Sequence, residues 1–262
     1  MKEGFLTSKG YSVHYVTWGE EGSKVLFIHS MGMDGHSMDK LAENLDNEYQ
    51  VLSLTILDHG ESDPPKGPIS LLDHAEVMRS CYMQLGFTPN VLIGHSVGGM
   101  MGMVLTAEYP EEFKGLVLVD IAPFESTGRR SRPEPPESFK DEAEALKWLK
   151  ERYPLFTDYY YENRLRYAFK REGGALKLKP SGERVRGGLV IDLWPYVERI
   201  EIPTLLLKGE QSELVTPETW KRMEEAIPDL EVIEVKNADH MIPQDVPEEF
   251  ERLVRGFLEK VY

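Results

Sequence analysis

A chain of 262 residues, 41% of them hydrophobic, is long enough to bury a substantial core as one large domain or two small ones. Its formal charge of -15 argues against nucleic acid and against anionic membrane surfaces, whose phosphates it would repel. The single Cys81 excludes an internal disulfide, Met1–Phe5 lacks the apolar stretch of a signal peptide, and no run approaches the ~18 residues of a membrane span, so a soluble cytoplasmic protein is expected.

In chain order, Phe5–Thr7 and Tyr11–Thr17, separated by Ser8-Lys9-Gly10, read as an opening hairpin. Val25–Ile28 and Val51–Ile56 are buried strands, and Leu71–Leu85 has helical periodicity that stops near Gly86. Asn90–Gly94 is a strand running into Gly94-His95-Ser96-Val97-Gly98, after which a small, apolar helix ends before Pro110. Gly115–Val119 is the next strand. Then the alternation breaks. From Ala122 to Val197 the chain shows a charged, proline-bearing entry, two amphipathic helices near Phe139–Arg152 and Asp158–Lys170, and a short hairpin at Leu176–Gly182. Strand Pro203–Leu207, helix Pro217–Ala226, strand Glu231–Val235 and a final helix from Pro247 to Val261 resume the pattern. This order predicts an α/β fold: a mostly parallel sheet with helices on both faces, made of residues 1–121 and 198–262, and a helical cap insertion at 122–197. Such sheets bind ligands at the carboxyl ends of their strands, where aromatic residues of the insertion (Trp148, Tyr153, Phe156, Tyr159, Tyr160, Tyr161, Tyr167, Phe169) either line a pocket or hold the cap together.

Ser96 stands where a buried strand turns sharply into a helix, so its hydroxyl projects from the surface with the helix N-terminus behind it. A nucleophilic serine needs a base, an orienting acid and donors for an oxyanion. Of seven histidines, His240 follows the last strand and precedes the last helix, and it is the expected base. His95 should turn its ring away from the Ser96 hydroxyl, His29 should brace the oxyanion loop, and His59 should support a turn. His14, His36 and His74 have no motif around them and default to surface or satisfied core positions. The oxyanion donors are expected from the N–H groups of Val97 and of Met31 in His29-Ser30-Met31-Gly32.

With His29–Gly32, Asp58-His59-Gly60-Glu61-Ser62, Gly94–Gly98 and the His240 loop, nearly the whole chain resembles the α/β-hydrolase fold superfamily. Val119–Pro123 and Gly209–Ser212 look like small serine esterases of the bacterial YbfF type. Against that pattern, Ser30 stands where glycine is usual, Asp239 precedes the base instead of glycine, and Ser212 occupies the customary position of the acid. Two residues remain for the acid: Asp120 at the end of the sixth strand, favoured, and Glu213 in the seventh-strand loop, the alternative.

The resemblance implies a serine hydrolase that cleaves a small-molecule carboxylic ester through an acyl-enzyme. No metal is implied, since the histidines are scattered and no helix carries a ligand pair, and the glycine spacing fits no nucleotide cofactor. Two other readings stand beside it. One is carbon–carbon bond hydrolysis of an anionic diketone acid held by Arg129, Arg130, Arg132 or Arg184; the other is a non-catalytic, ligand-binding member of the fold.

Overall fold

The computed structural model describes residues 1–123, 135–184 and 191–262. Strands β1 (Lys2–Ser8), β2 (Tyr11–Trp18), β3 (Ser23–Ile28), β4 (Tyr49–Leu54), β5 (Asn90–His95), β6 (Phe113–Val119), β9 (Thr204–Gly209) and β10 (Leu230–Val235) form one sheet in the order β1-β2-β4-β3-β5-β6-β9-β10. The β1–β2 and β2–β4 pairs are antiparallel; every other pair is parallel.

The apolar runs follow from burial on both faces. Leu26, Ile28, Leu92, Leu116, Leu118 and Leu206 point into one core, against α2 (Leu71–Gln84), α3 (Val97–Glu108), α6 (Trp194–Val197) and α7 (Pro217–Ala226). Their neighbours Val25, Phe27, Val91, Ile93, Val117, Val119, Leu205 and Leu207 point into the other, against α1 (Asp39–Leu45) and α9 (Pro247–Val261). With side chains alternating across a strand, two covered faces require an unbroken apolar sequence, and each fully buried side chain contributes about 1.5–3 kcal/mol. Helix α2 starts at a reciprocal capping box between Ser70 and Asp73 and stops at Gly86, whose φ of +62° suits the left-handed turn. Among the described residues no helix is long and apolar enough to cross a membrane.

Between β6 and β9 the described residues form α4 (Glu142–Arg152), α5 (Asp158–Tyr167) and an antiparallel pair, β7 (Phe169–Glu172) and β8 (Ala175–Leu178). This corrects two expectations. The second helix ends at Tyr167, not Lys170, and the hairpin turns at Gly173-Gly174 (φ +61° and +84°), not after Leu176. The paired glycines take backbone conformations that side-chain-bearing residues avoid, which sets the turn where it is. Trp148, Tyr153, Phe156, Tyr160, Tyr161 and Phe169 form a third core, which also takes in Met33 and Met241. Most of the aromatic residues between β6 and β9 therefore pack against one another and hold α4, α5 and the β7–β8 pair together. The short α8 (Ile242–Asp245) links the last strand's loop to α9.

Candidate active site

Ser96 joins β5 to α3 with φ +52° and ψ −116°, a strained conformation for a residue with a side chain. It is fixed from both sides: its N–H donates to the Val119 carbonyl at 3.0 Å, and its carbonyl accepts from Met100 N–H at 3.0 Å. Gly98 explains the glycine in the motif. A Cβ there would lie 2.1 Å from the Ile28 carbonyl oxygen, so only glycine lets the first turn of α3 press against the end of β3. That contact sets Val97 beside the loop that leaves β3.

His240 lies in the loop after β10, across the strand ends from Ser96. Its carbonyl accepts from His95 Nε2 at 2.8 Å, and the two rings are 5.0 Å apart, so the loop rests on the residue preceding the serine. Its Nδ1 donates to Asp120 Oδ2 at 2.8 Å, which leaves Nε2 as the outward nitrogen of the ring. Among the described residues neither Nε2 nor the Ser96 hydroxyl has a hydrogen-bond partner.

Asp120 directly follows β6, fully buried at φ +44°. Three donors converge on its carboxylate: His240 Nδ1, Ser212 Oγ at 2.6 Å on the same oxygen, and Gly209 N–H at 3.1 Å on the other. Glu213 is exposed and has no hydrogen bond or ion pair to His240 among the described residues. Ser212, at the position where the resemblance implies an acid, donates its hydroxyl to Asp120. The sequence marks the substitution but not the direction in which the hydroxyl points.

The loop after β3 is built on His29. Its Nε2 accepts Ile56 N–H at 2.9 Å and its Nδ1 donates to Ser30 O at 2.8 Å, which fixes one neutral tautomer. Burial, with His59 adding to it, pushes its pKa down to about 3. Among the described residues the Met31 and Val97 N–H groups have no acceptor, and the buried Ser30 hydroxyl has no partner. Helix α5 is tied to this loop by a buried ion pair, Arg164 Nη1 to Asp34 Oδ2 at 2.7 Å, with Arg164 Nη2 also donating to Gly32 O at 3.1 Å. A cavity of about 150 Å³ opens beside Gly32, lined among others by Trp148, Arg152, Tyr153, Arg164 and Glu183.

The other histidines differ from expectation in one respect. His14, His36 and His74 are all buried, and among the described residues neither ring nitrogen of His74 has a hydrogen-bond partner, so His74 departs from the satisfied core position expected for it. His59 does support its turn, bonding Leu57 O through Nδ1 at 2.9 Å. Arg129, Arg130 and Arg132 lie outside the described residues, while Arg184 is exposed and its N–H donates to Asp58 Oδ2 at 2.8 Å.

Several known proteins are similar to this chain. The 2-(acetamidomethylene)succinate hydrolase of Mesorhizobium japonicum is 24% identical over 246 residues, covering 91% of this chain and 88% of that protein. Lipase 1 of Psychrobacter immobilis is 25% identical over 235 residues, 84% of this chain and 72% of its own. In structure, an E-2-(acetamidomethylene)succinate hydrolase superposes with a TM-score of 0.88 at 22% identity, covering 98% of this chain and 99% of that one. A thioesterase domain from the curacin biosynthetic pathway gives 0.86 at 21%, with the same coverage of 98% and 99%. At such identities the structural likeness speaks for the fold alone. The family model of the α/β hydrolase fold matches residues 24–179, more than half of the sequence, and the chain belongs to that family.

Proposed function

We propose that the protein is a serine hydrolase that cleaves carboxylic esters of small molecules through an acyl-enzyme, with Ser96 as nucleophile, His240 as base and Asp120 as the acid that orients it. The observation that carries this reading is the 2.8 Å bond from His240 Nδ1 to the buried Asp120, in a loop that rests on the residue beside Ser96. In the neutral imidazole it places the proton on Nδ1 and the lone pair on Nε2, the tautomer able to accept the serine proton.

In the proposed reaction His240 Nε2 takes the proton of Ser96 as Oγ attacks the acyl carbonyl. The N–H groups of Met31 and Val97 hold the resulting oxyanion, Val97 with the N-terminal dipole of α3 behind it. Collapse expels the alcohol, which leaves with the proton from His240. A water then gives a proton to His240, attacks the acyl group and releases the carboxylic acid, and Ser96 recovers its proton. Residues 122–197 act as a cap over the strand ends, with the cavity beside Gly32 receiving part of the substrate. Neither nucleic acid nor a membrane is needed. A reducing cytoplasm suits the buried Cys81, whose thiol burial pushes up to about 11.

A fluorophosphonate probe tests the reading directly. Labelling of the folded protein that disappears in Ser96→Ala is expected, together with hydrolysis of nitrophenyl esters. No labelling of folded protein would favour a non-catalytic ligand binder. Labelling with turnover of diketone acids but not of esters would favour carbon–carbon hydrolysis.

A further inference from the structure

The seven histidines are scattered along the sequence, yet the fold gathers two of them with a carboxylate far from the Ser96 turn in sequence. We infer that Glu3, His14 and His36 form a binding site for one divalent transition metal, Zn2+ by preference, that fastens the β1–β2 hairpin to the loop leaving β3. Both imidazoles present Nε2 to one carboxylate oxygen: His14 Nε2 is 3.3 Å and His36 Nε2 3.6 Å from Glu3 Oε2. All three donor atoms lie within 4.8 Å of one another. Ligands at about 2.0–2.1 Å around a tetrahedral zinc are separated by about 3.3 Å, so two of the three spacings already match.

What separates this cluster from an ordinary ion pair is the support behind each ring. His36 Nδ1 is 3.1 Å from Asp39 Oδ2, the carboxylate–histidine arrangement that orients metal ligands, and Asn163 Nδ2 steadies that carboxylate at 3.0 Å. His14 Nδ1 is 2.9 Å from Thr55 Oγ1, a hydroxyl that also accepts Gly35 N–H at 3.0 Å. Tyr167 stacks on the His36 ring at 3.5 Å and 6°, and Phe5 covers His14 at 5.4 Å. Both histidine side chains are 4% exposed, whereas Glu3 is 46% exposed. The nitrogens are thus preset and dry, and the half-exposed carboxylate is the third ligand at the entrance. A fourth position remains for water. The donor set of two imidazoles and one carboxylate suits zinc or cobalt over calcium or magnesium, and the net charge of -15 favours any cation.

The test uses the full chain stripped with a chelator and titrated with Co2+, whose d–d absorption reports low-coordinate nitrogen ligands. One Co2+ per chain is expected, displaced by Zn2+, with Tm rising by about 5 °C at a hundredfold excess over Kd. Glu3→Gln, at an exposed position that does not threaten folding, and His14→Gln should each weaken binding at least about tenfold, and Asp39→Asn by about 10–100-fold through His36. His240→Ala, which removes the imidazole paired with Asp120, should leave the spectrum unchanged. Absent bands, weakening below about tenfold in Glu3→Gln, or loss of the bands in His240→Ala would each overturn the assignment.

Discussion

Replacing Asp120 with asparagine changes little in shape but sets three donors against a side chain with a single acceptor. In the parent, Oδ2 receives His240 Nδ1 at 2.8 Å and Ser212 Oγ at 2.6 Å, while Oδ1 receives Gly209 N–H at 3.1 Å. If the amide oxygen faces His240, the amide NH2 opposes the Gly209 N–H, a backbone donor that cannot turn away. That leaves a buried donor unpaired at a cost of about 1–3 kcal/mol in stability. If the NH2 faces His240 instead, the imidazole must offer Nδ1 as acceptor and carry its proton on Nε2, where it can no longer take one from Ser96. The orientation that preserves the backbone bond is the one that abolishes the base. Turnover should fall by about four orders of magnitude, as for the equivalent wrong-tautomer change in serine proteases, or about 5 kcal/mol in the barrier. The assay is steady-state hydrolysis of a nitrophenyl ester by Asp120→Asn and Glu213→Gln side by side, with circular dichroism and Tm to show that both are folded. Turnover of Asp120→Asn within about tenfold of the parent, or a large loss in Glu213→Gln instead, would refute the reasoning.

Three further outcomes follow from the same geometry. Ser212→Ala removes one charge-assisted bond from Asp120 and should lower kcat about tenfold with KM nearly unchanged, a split read from the same ester kinetics. Gly98→Ala should destabilise the fold by at least about 1–3 kcal/mol in urea unfolding and lower kcat, because its Cβ would meet the Ile28 carbonyl at 2.1 Å and push α3 off β3. His74 has its pKa lowered by burial, then by His59, from 6.5 to about 4, so between those values the unfolded chain binds a proton that the folded one refuses. Stability from this group is intact above pH 6.5 and is lost as pH falls toward 4. His74→Leu should therefore shrink the difference in unfolding free energy between pH 7 and pH 4.5 by about 2–3 kcal/mol; an undiminished difference would show that His74 is not the sensitive group.

Where burial acts strand by strand, the sequence is a good guide. The runs of β3, β5, β6 and β9 are legible because both faces of each strand are covered, and the turn at Ser96 is legible because glycine is needed where backbones touch. Helix α1 is not: at seven residues it is shorter than an isolated helix needs, and Met38 at its N-cap makes no capping bond. The hairpin of β7 and β8 is obscured because Phe169 continues the helical spacing of α5, and only Gly173-Gly174 marks the reversal. Asp120 and Glu213 are indistinguishable as charges in the sequence. Their difference lies in burial at a strand end against exposure on a loop, and that is decided by pairing between β6 and β9. The meeting of Glu3, His14 and His36 has no local signal at all, since it depends on the register of β1 against β2 and on the path of the loop that follows β3.

The aromatic core between β6 and β9 takes Met33 from the chain just beyond the proposed oxyanion donor and Met241 from the residue next to the proposed base. A guest molecule that wedges those rings apart thus pulls on both loops at once. Bulky and slender substrates would then differ in the speed of the bond-breaking step as well as in how tightly they are held, and remodelling the aromatic packing alone would change which of them is processed quickly.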